Sequence, residues 1–250
     1  MGKVQWVPWW WVAAGFAGMI AIGMATALTA AAWTTGIGYL VVSTALLSRG
    51  IRRGRVERFG PANAVTATRS MFVGLVTALV VASFADAVST ALLVTLVAVA
   101  LALDGVDGYV ARRTRSESEL GGRFDMEVDA FLLLVLCVYD ARYVGWWVLT
   151  IGLLRYAFVI AGLWLPWMRR TLPPRSWRKV VTAACGIALA IVASQLLPAA
   201  VNAVVAVAAL LLVLESFGRD VLWLIRVNLA GARLVSLEKA STTSPPEESR

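Results

Sequence analysis

Eight apolar stretches, at about residues 6–30, 32–48, 70–85, 88–107, 124–141, 144–165, 179–197 and 199–217, leave this chain little choice of fold. A hydrocarbon core about 30 Å thick takes roughly 20 apolar residues as a helix. Inside lipid every backbone N–H and C=O must be satisfied within the segment, which only helices and closed barrels achieve. Shorter stretches also span when their ends meet interfacial or protein surroundings. The expected fold class is an all-α polytopic membrane protein.

The charged residues between these stretches set an orientation. Arg49, Arg52, Arg53, Arg55, Arg58 and Arg69 follow the second stretch, and Arg112, Arg113, Arg115 and Arg123 the fourth. Arg169, Arg170, Arg175, Arg178 and Lys179 follow the sixth, and Arg219, Arg226, Arg233, Lys239 and Arg250 the eighth, while the opposite loops carry essentially only Arg142. Positive loops stay inside, so both termini are expected on the cytoplasmic side of a bacterial plasma membrane. The net charge of +8 is then a topology signal, and no nucleic-acid partner is expected. The apolar run after Met1-Gly2-Lys3 far exceeds the 7–15 residues of a signal h-region, so it reads as an uncleaved span. Trp6, Trp9, Trp10 and Trp11 read as a headgroup anchor. The tail after about residue 236 lacks apolar mass and is expected to be disordered.

The chain has no histidine, which removes a His general base, a His-ligated zinc and a phosphohistidine intermediate. Cys137 and Cys185 lie in different apolar stretches and read as core packing. Acid–base chemistry therefore falls to carboxylates, Lys, Tyr or Cys.

Four aspartates stand out because they lie at the ends of the fourth and fifth stretches, where ionisable groups are expensive and a function is the default reading. Asp104 and Asp107 are spaced i, i+3 and Asp125 and Asp129 i, i+4, so each pair projects from one helix face. A short turn joins the two helices, so the pairs can meet. Glu127 points elsewhere, about 200° around the helix from Asp125. Four clustered carboxylates repel one another unless cations balance them. Two Mg²⁺ or Mn²⁺ ions supply that balance, since all-oxygen ligation suits both, and two ions about 3.5–4 Å apart can clamp the attacking and leaving oxygens of a phosphoryl displacement. Gly108, Ala111 and Gly121 leave room for a nucleotide on the carboxylate faces, and Arg112 is placed to hold a phosphate.

The run Asp104-Gly105-Val106-Asp107-Gly108-Tyr109-Val110-Ala111-Arg112, followed by Gly121, Asp125 and Asp129, resembles the CDP-alcohol phosphotransferase signature DxxDGxxAR, eight residues, GxxxDxxxD. All eight fixed positions match, and at roughly 5% usage per residue type the chance of that at one register is on the order of 10⁻¹⁰. The resemblance implies that Asp104, Asp107 and Asp125 ligate metal, and that Asp129 is both a ligand and the base for the acceptor hydroxyl. It also implies that Gly108, Arg112 and a polar residue of the intervening loop, Ser118, bind the CDP moiety. Pro61-Ala62-Asn63-Ala64-Val65-Thr66-Ala67-Thr68-Arg69 resembles the Pro-Asn-x-x-Thr-x-x-Arg opening of that family's first core helix, with one residue inserted after Pro. Asn63 and Thr66 either reach the nucleotide or merely start a helix.

The resemblance covers about 61–220 and implies a six-helix catalytic core there. The transmembrane hairpin expected at 1–48 is a departure from the family, a basic linker follows it at 49–60, and a cytoplasmic tail is expected at 221–250. The expected reaction transfers a phospho-group from a CDP-linked lipid to an alcohol, with membrane lipids as surroundings and a homodimer as a candidate assembly. Arg155 inside a late span, with Arg178 and Lys179 at the start of the next, are candidates to grip an anionic acceptor. Rival readings are a cation- or proton-coupled transporter, an intramembrane aspartyl protease and a non-catalytic scaffold. The first lacks a second half repeating the acidic pair, the second needs a dyad rather than a tetrad, and the complete tetrad argues against the third.

Overall fold

The structure is a computed structural model that describes residues 9–53, 61–114, 119–170, 173 and 176–243. Within these, the side chains of 51–53, 61–63, 107–114, 119–121, 123, 169, 176 and 231–243 stand outside the description. The described residues form helices and no strand: α1 (Trp9–Ala25), α2 (Ala30–Arg53), α3 (Pro61–Ala82), α4 (Thr90–Thr114), α5 (Glu119–Val144), α6 (Leu149–Trp164), α7 (Ser176–Ser194) and α8 (Ala199–Thr243). Short 3₁₀ turns at Trp146–Val148 and Pro166–Arg169 bracket α6. Each helix answers to one apolar stretch of the sequence, and the protein is an all-α polytopic membrane protein.

Five segments are long and apolar enough to cross a membrane: Ala30–Gly50, Ala64–Ala82, Trp146–Trp164, Trp177–Ser194 and Ala199–Ala230. Trp9–Ala25 and Thr90–Val106 are shorter apolar helices. The charged groups of α5, among them Asp125, Glu127, Asp129, Asp140 and Arg142, lower its apolar character.

Three boundaries differ from the sequence expectation. Helix α3 begins at Pro61 rather than 70, since proline at the first helical position is preset at φ near −65° and loses no hydrogen bond there. Arg69 is thereby inside a helix, not in a loop. Helix α4 runs past 107 to Thr114, and α8 runs past 217 to Thr243, across the 220/221 boundary and into the segment after 236 whose expected disorder does not hold for 237–243, while 244–250 lie outside the described residues. Hydropathy falls off after Phe217, but Leu, Val, Ala and Arg continue as helix formers, so the end of an apolar stretch is not the end of a helix.

Helix α3 is the central element. It packs against α1, α2, α4 and α5, and Val73, Val76, Ala78 and Leu79 are fully buried along it. By contrast α6 and α8 expose Leu153, Ile160, Leu163, Val204, Leu211 and Leu222. A helix that is apolar all round is stable only in a core or in lipid, and these outer faces suit lipid. The α1–α2 hairpin belongs to the same core through Met19 and Leu40. Trp11 is turned inward instead of anchoring at the headgroups: its Nε1 donates to Thr68 Oγ1 at 2.8 Å, while Trp9 and Trp10 are exposed. Trp6 lies outside the described residues. From α2, Tyr39 stacks on Phe131 of α5, ring centroids 4.6 Å apart, and Ser70 Oγ donates to its hydroxyl at 3.4 Å.

Two close approaches fix the frame. At the C-terminal end of α5, Arg142 donates through Nη1 to the Ser83 carbonyl at 2.5 Å and through Nη2 to Ser83 Oγ at 2.8 Å, with its guanidinium over the rings of Phe84 and Tyr139. Along α5 and α6, Gly152 lies so close to Leu134 that an added Cβ would stand 2.6 Å from its Cα. Backbone cannot yield as a flexible side chain can, so Gly152→Ala must push α6 off α5. The expected cost is about 1–3 kcal/mol, typical of overpacking, read as a lower midpoint of thermal unfolding in detergent. An unchanged midpoint would show that α6 slides freely along α5.

Candidate active site

The antiparallel course of α3, α4 and α5 brings the start of α3, the end of α4 and the start of α5 to the same end of the bundle. Arg69 stands eight residues after Pro61, Asp104 ten before Thr114 and Asp129 ten after Glu119. At 1.5 Å rise per residue they share a layer about 12–15 Å from those helix termini. The i, i+4 spacing puts Asp125 and Asp129 on one face of α5, toward Asp104 of α4.

Three carboxylates meet there. One oxygen from each of Asp104, Asp125 and Asp129 can be chosen so that all lie within 4.8 Å of one another. Between them sits the guanidinium of Arg69, which is fully buried. Its Nη1 donates to Asp104 Oδ1 and its Nη2 to Asp125 Oδ1; Nη2 also donates to the Asp125 carbonyl at 3.2 Å. Asp129 Oδ1 lies 3.3 Å from Nη1, the longest of the three approaches. A planar fork with two terminal nitrogens reaches carboxylates on two helices in one fixed geometry, which favours Arg over Lys at this position. The carboxylates are more open than their partner, with side-chain exposures of 34%, 30% and 21% against 1% for Arg69. Arg69 therefore lies on the protein side of the cluster and the carboxylates open away from it.

Three carboxylates and one guanidinium leave a formal charge of −2. An all-oxygen donor set with a negative balance fits a hard divalent cation of the Mg²⁺ or Mn²⁺ kind.

Of the other residues singled out from the sequence, Thr66 is buried on α3, one turn before Arg69. Asp107, Gly108 and Arg112 lie on α4 and Asn63 on α3, with side chains outside the described residues, and Ser118 lies wholly outside them. Of the three acceptor candidates, Arg155 lies on α6 and Arg178 and Lys179 are neighbours at the start of α7. Arg155 of α6 is ion-paired with Glu127 of α5. Arg178 of α7 has its Nε 3.4 Å from Asp220 Oδ2 of α8 and donates to the Pro173 carbonyl. Lys179 is exposed.

Sequence reasoning missed the part Arg69 plays. It was read with five other arginines as a loop charge, although its place in the Pro61 to Arg69 run and its Ser-Met-Phe-Val sequel were a signal that a helix had already begun.

A family model described as CDP-alcohol phosphatidyltransferase matches residues 59–215. Neither a curated protein nor a solved structure matches the chain.

Proposed function

The chain belongs to the CDP-alcohol phosphatidyltransferase family, and from that premise we propose that it moves the phosphatidyl or related phospho-group of a CDP-linked lipid to an alcohol, releasing CMP, in phospholipid biosynthesis. The observation that carries this reading is the convergence of Asp104, Asp125 and Asp129 from two helices on one small volume. A single carboxylate inside a membrane helix is costly, and three in contact are more so. Their job must repay that.

Asp104, Asp107, Asp125 and Asp129 are the residues to hold two Mg²⁺ or Mn²⁺ ions, which when bound would neutralise the pyrophosphate and polarise the phosphorus under attack. Asn63, Thr66, Gly108, Arg112 and Ser118 are the candidates to bind the nucleotide. Asp129 is placed to take the proton of the acceptor hydroxyl on its carboxylate. The acceptor oxygen then forms the new bond to phosphorus as the bond to the CMP oxygen breaks, and CMP leaves with that electron pair. Asp129 suits the task because its tie to Arg69 is the longest of the three. Arg155, Arg178 and Lys179 are the candidates to hold an anionic acceptor, and each arginine would have to trade its present carboxylate partner for the acceptor's phosphate. The active site faces the cytoplasm in this reading, following the positive loops.

The test is CMP release from CDP-diacylglycerol by the full chain in nanodiscs with Mg²⁺ or Mn²⁺, against a panel of labelled acceptors: glycerol phosphate, inositol, inositol phosphate, serine and choline. Release of CMP with one acceptor, and label moving into lipid, is the expected result. Folded, cation-saturated protein that yields no CMP with any of them would overturn the assignment.

A further inference from the structure

We propose that Arg69 is a built-in counter-cation, which holds the carboxylates of α4 and α5 together and competes with a divalent cation for them. The proposal rests on reading Asp104, Asp125 and Asp129 as cation ligands, and it adds that their affinity is set by exchange against a charge the protein already carries.

Four observations support it. Arg69 is fully buried, so its charge is compensated by protein groups and not by water. Its two terminal nitrogens reach Asp104 of α4 and Asp125 of α5, which makes the guanidinium the bridge between the two ligand-bearing helices. Its Nε is buried without a hydrogen-bond partner, so its hold comes from the ends of the fork, and nearly all of that is carboxylate. Finally, the carboxylates are partly exposed where Arg69 is not, so each keeps surface that the guanidinium does not cover.

The consequence follows from Coulomb's law. A dication held by the same three carboxylates stands within a few ångströms of the guanidinium and is repelled by it, and a carboxylate that turns toward the cation loosens its hold on Arg69. Removing the guanidinium removes that repulsion and that competition. It also takes from three carboxylates the guanidinium that lies between them, which matters most when cation is scarce. Affinity for cation should rise while the cation-free protein weakens.

The experiment measures Mn²⁺ binding by calorimetry and thermal unfolding in chelator and in Mn²⁺, on the full chain in nanodiscs with no substrate present. Arg69→Gln is expected to bind Mn²⁺ at least about 10-fold more tightly than the wild type, the direction set by removing a like charge from the site. Its unfolding midpoint should fall in chelator and recover in Mn²⁺. Arg69→Lys keeps the charge but cannot fork between two carboxylates, and should fall between the two. Equal or weaker Mn²⁺ binding by Arg69→Gln overturns the proposal and makes Arg69 an organiser of the ligands. If Arg69→Gln does not fold under either condition, Arg69→Lys decides on the same terms: tighter binding than wild type supports the exchange, and unchanged or weaker binding overturns it. A wild-type protein that binds no Mn²⁺ removes the cation-ligand reading and this inference with it, whereas wild-type binding with no tightening in the variants removes this inference alone.

Discussion

Asp129→Asn is expected to lose at least about 100-fold in CMP release while keeping the fold and most of the affinity for CDP-lipid, the loss a positioned general base typically accounts for. An alcohol is a poor nucleophile at neutral pH, and asparagine keeps the shape and one ligand oxygen but cannot accept the proton. Asp104→Asn should fail differently. Its carboxylate contacts Arg69 directly, and its proposed role is to hold a cation, so raised cation should recover part of the rate. Single-turnover CMP release measured against Mn²⁺ concentration separates the two. If Asp129→Asn is restored by cation to near the wild-type rate, Asp129 is only a ligand.

Stripping divalent cations with excess chelator should lower CMP release by at least about 1,000-fold and be reversed by Mg²⁺ or Mn²⁺. A Lewis acid at a phosphoryl oxygen contributes several kcal/mol to the transition state, and each 1.36 kcal/mol or so is tenfold in rate. The described charges give the physical reason. With a formal −2 over three carboxylates and Arg69, the site repels a pyrophosphate until positive charge is added. Undiminished turnover in chelator would end the di-cation reading.

What the sequence made legible follows from what hydropathy and spacing encode. Eight helices were readable because apolar stretches long enough to span must be helical in lipid. The carboxylates were readable because i, i+3 and i, i+4 spacing fixes a shared face whatever the neighbours are. Arg69 was not, since charge lowers local hydropathy and pushed the expected start of α3 to residue 70. Only the Pro61 to Arg69 run, which closes on Arg69, separates it from the arginines at 49–58. Trp11 shows the same limit: an indole at a helix start suits a headgroup layer, and its bond to Thr68 depends on α1 packing on α3. The exposed pairing of Arg155 with Glu127 is a relation between α5 and α6 that no single-helix reasoning reaches. The length of α8 escaped because hydropathy marks where lipid ends, while helix propensity marks where the helix does.

The grip of Arg142 on Ser83 makes α3 and α5 a braced frame. Ser83 follows directly on the end of α3 and is held from α5 at the end remote from the aspartates. Fourteen residues away, about 21 Å at helical rise, Arg69 of α3 is tied to α5 again through Asp125. Two ties that far apart fix the angle between the helices as well as their spacing, as two rungs fix the rails of a ladder, and the α1–α2 hairpin adds a cross-strut through Trp11 to α3 and through Tyr39 to α5.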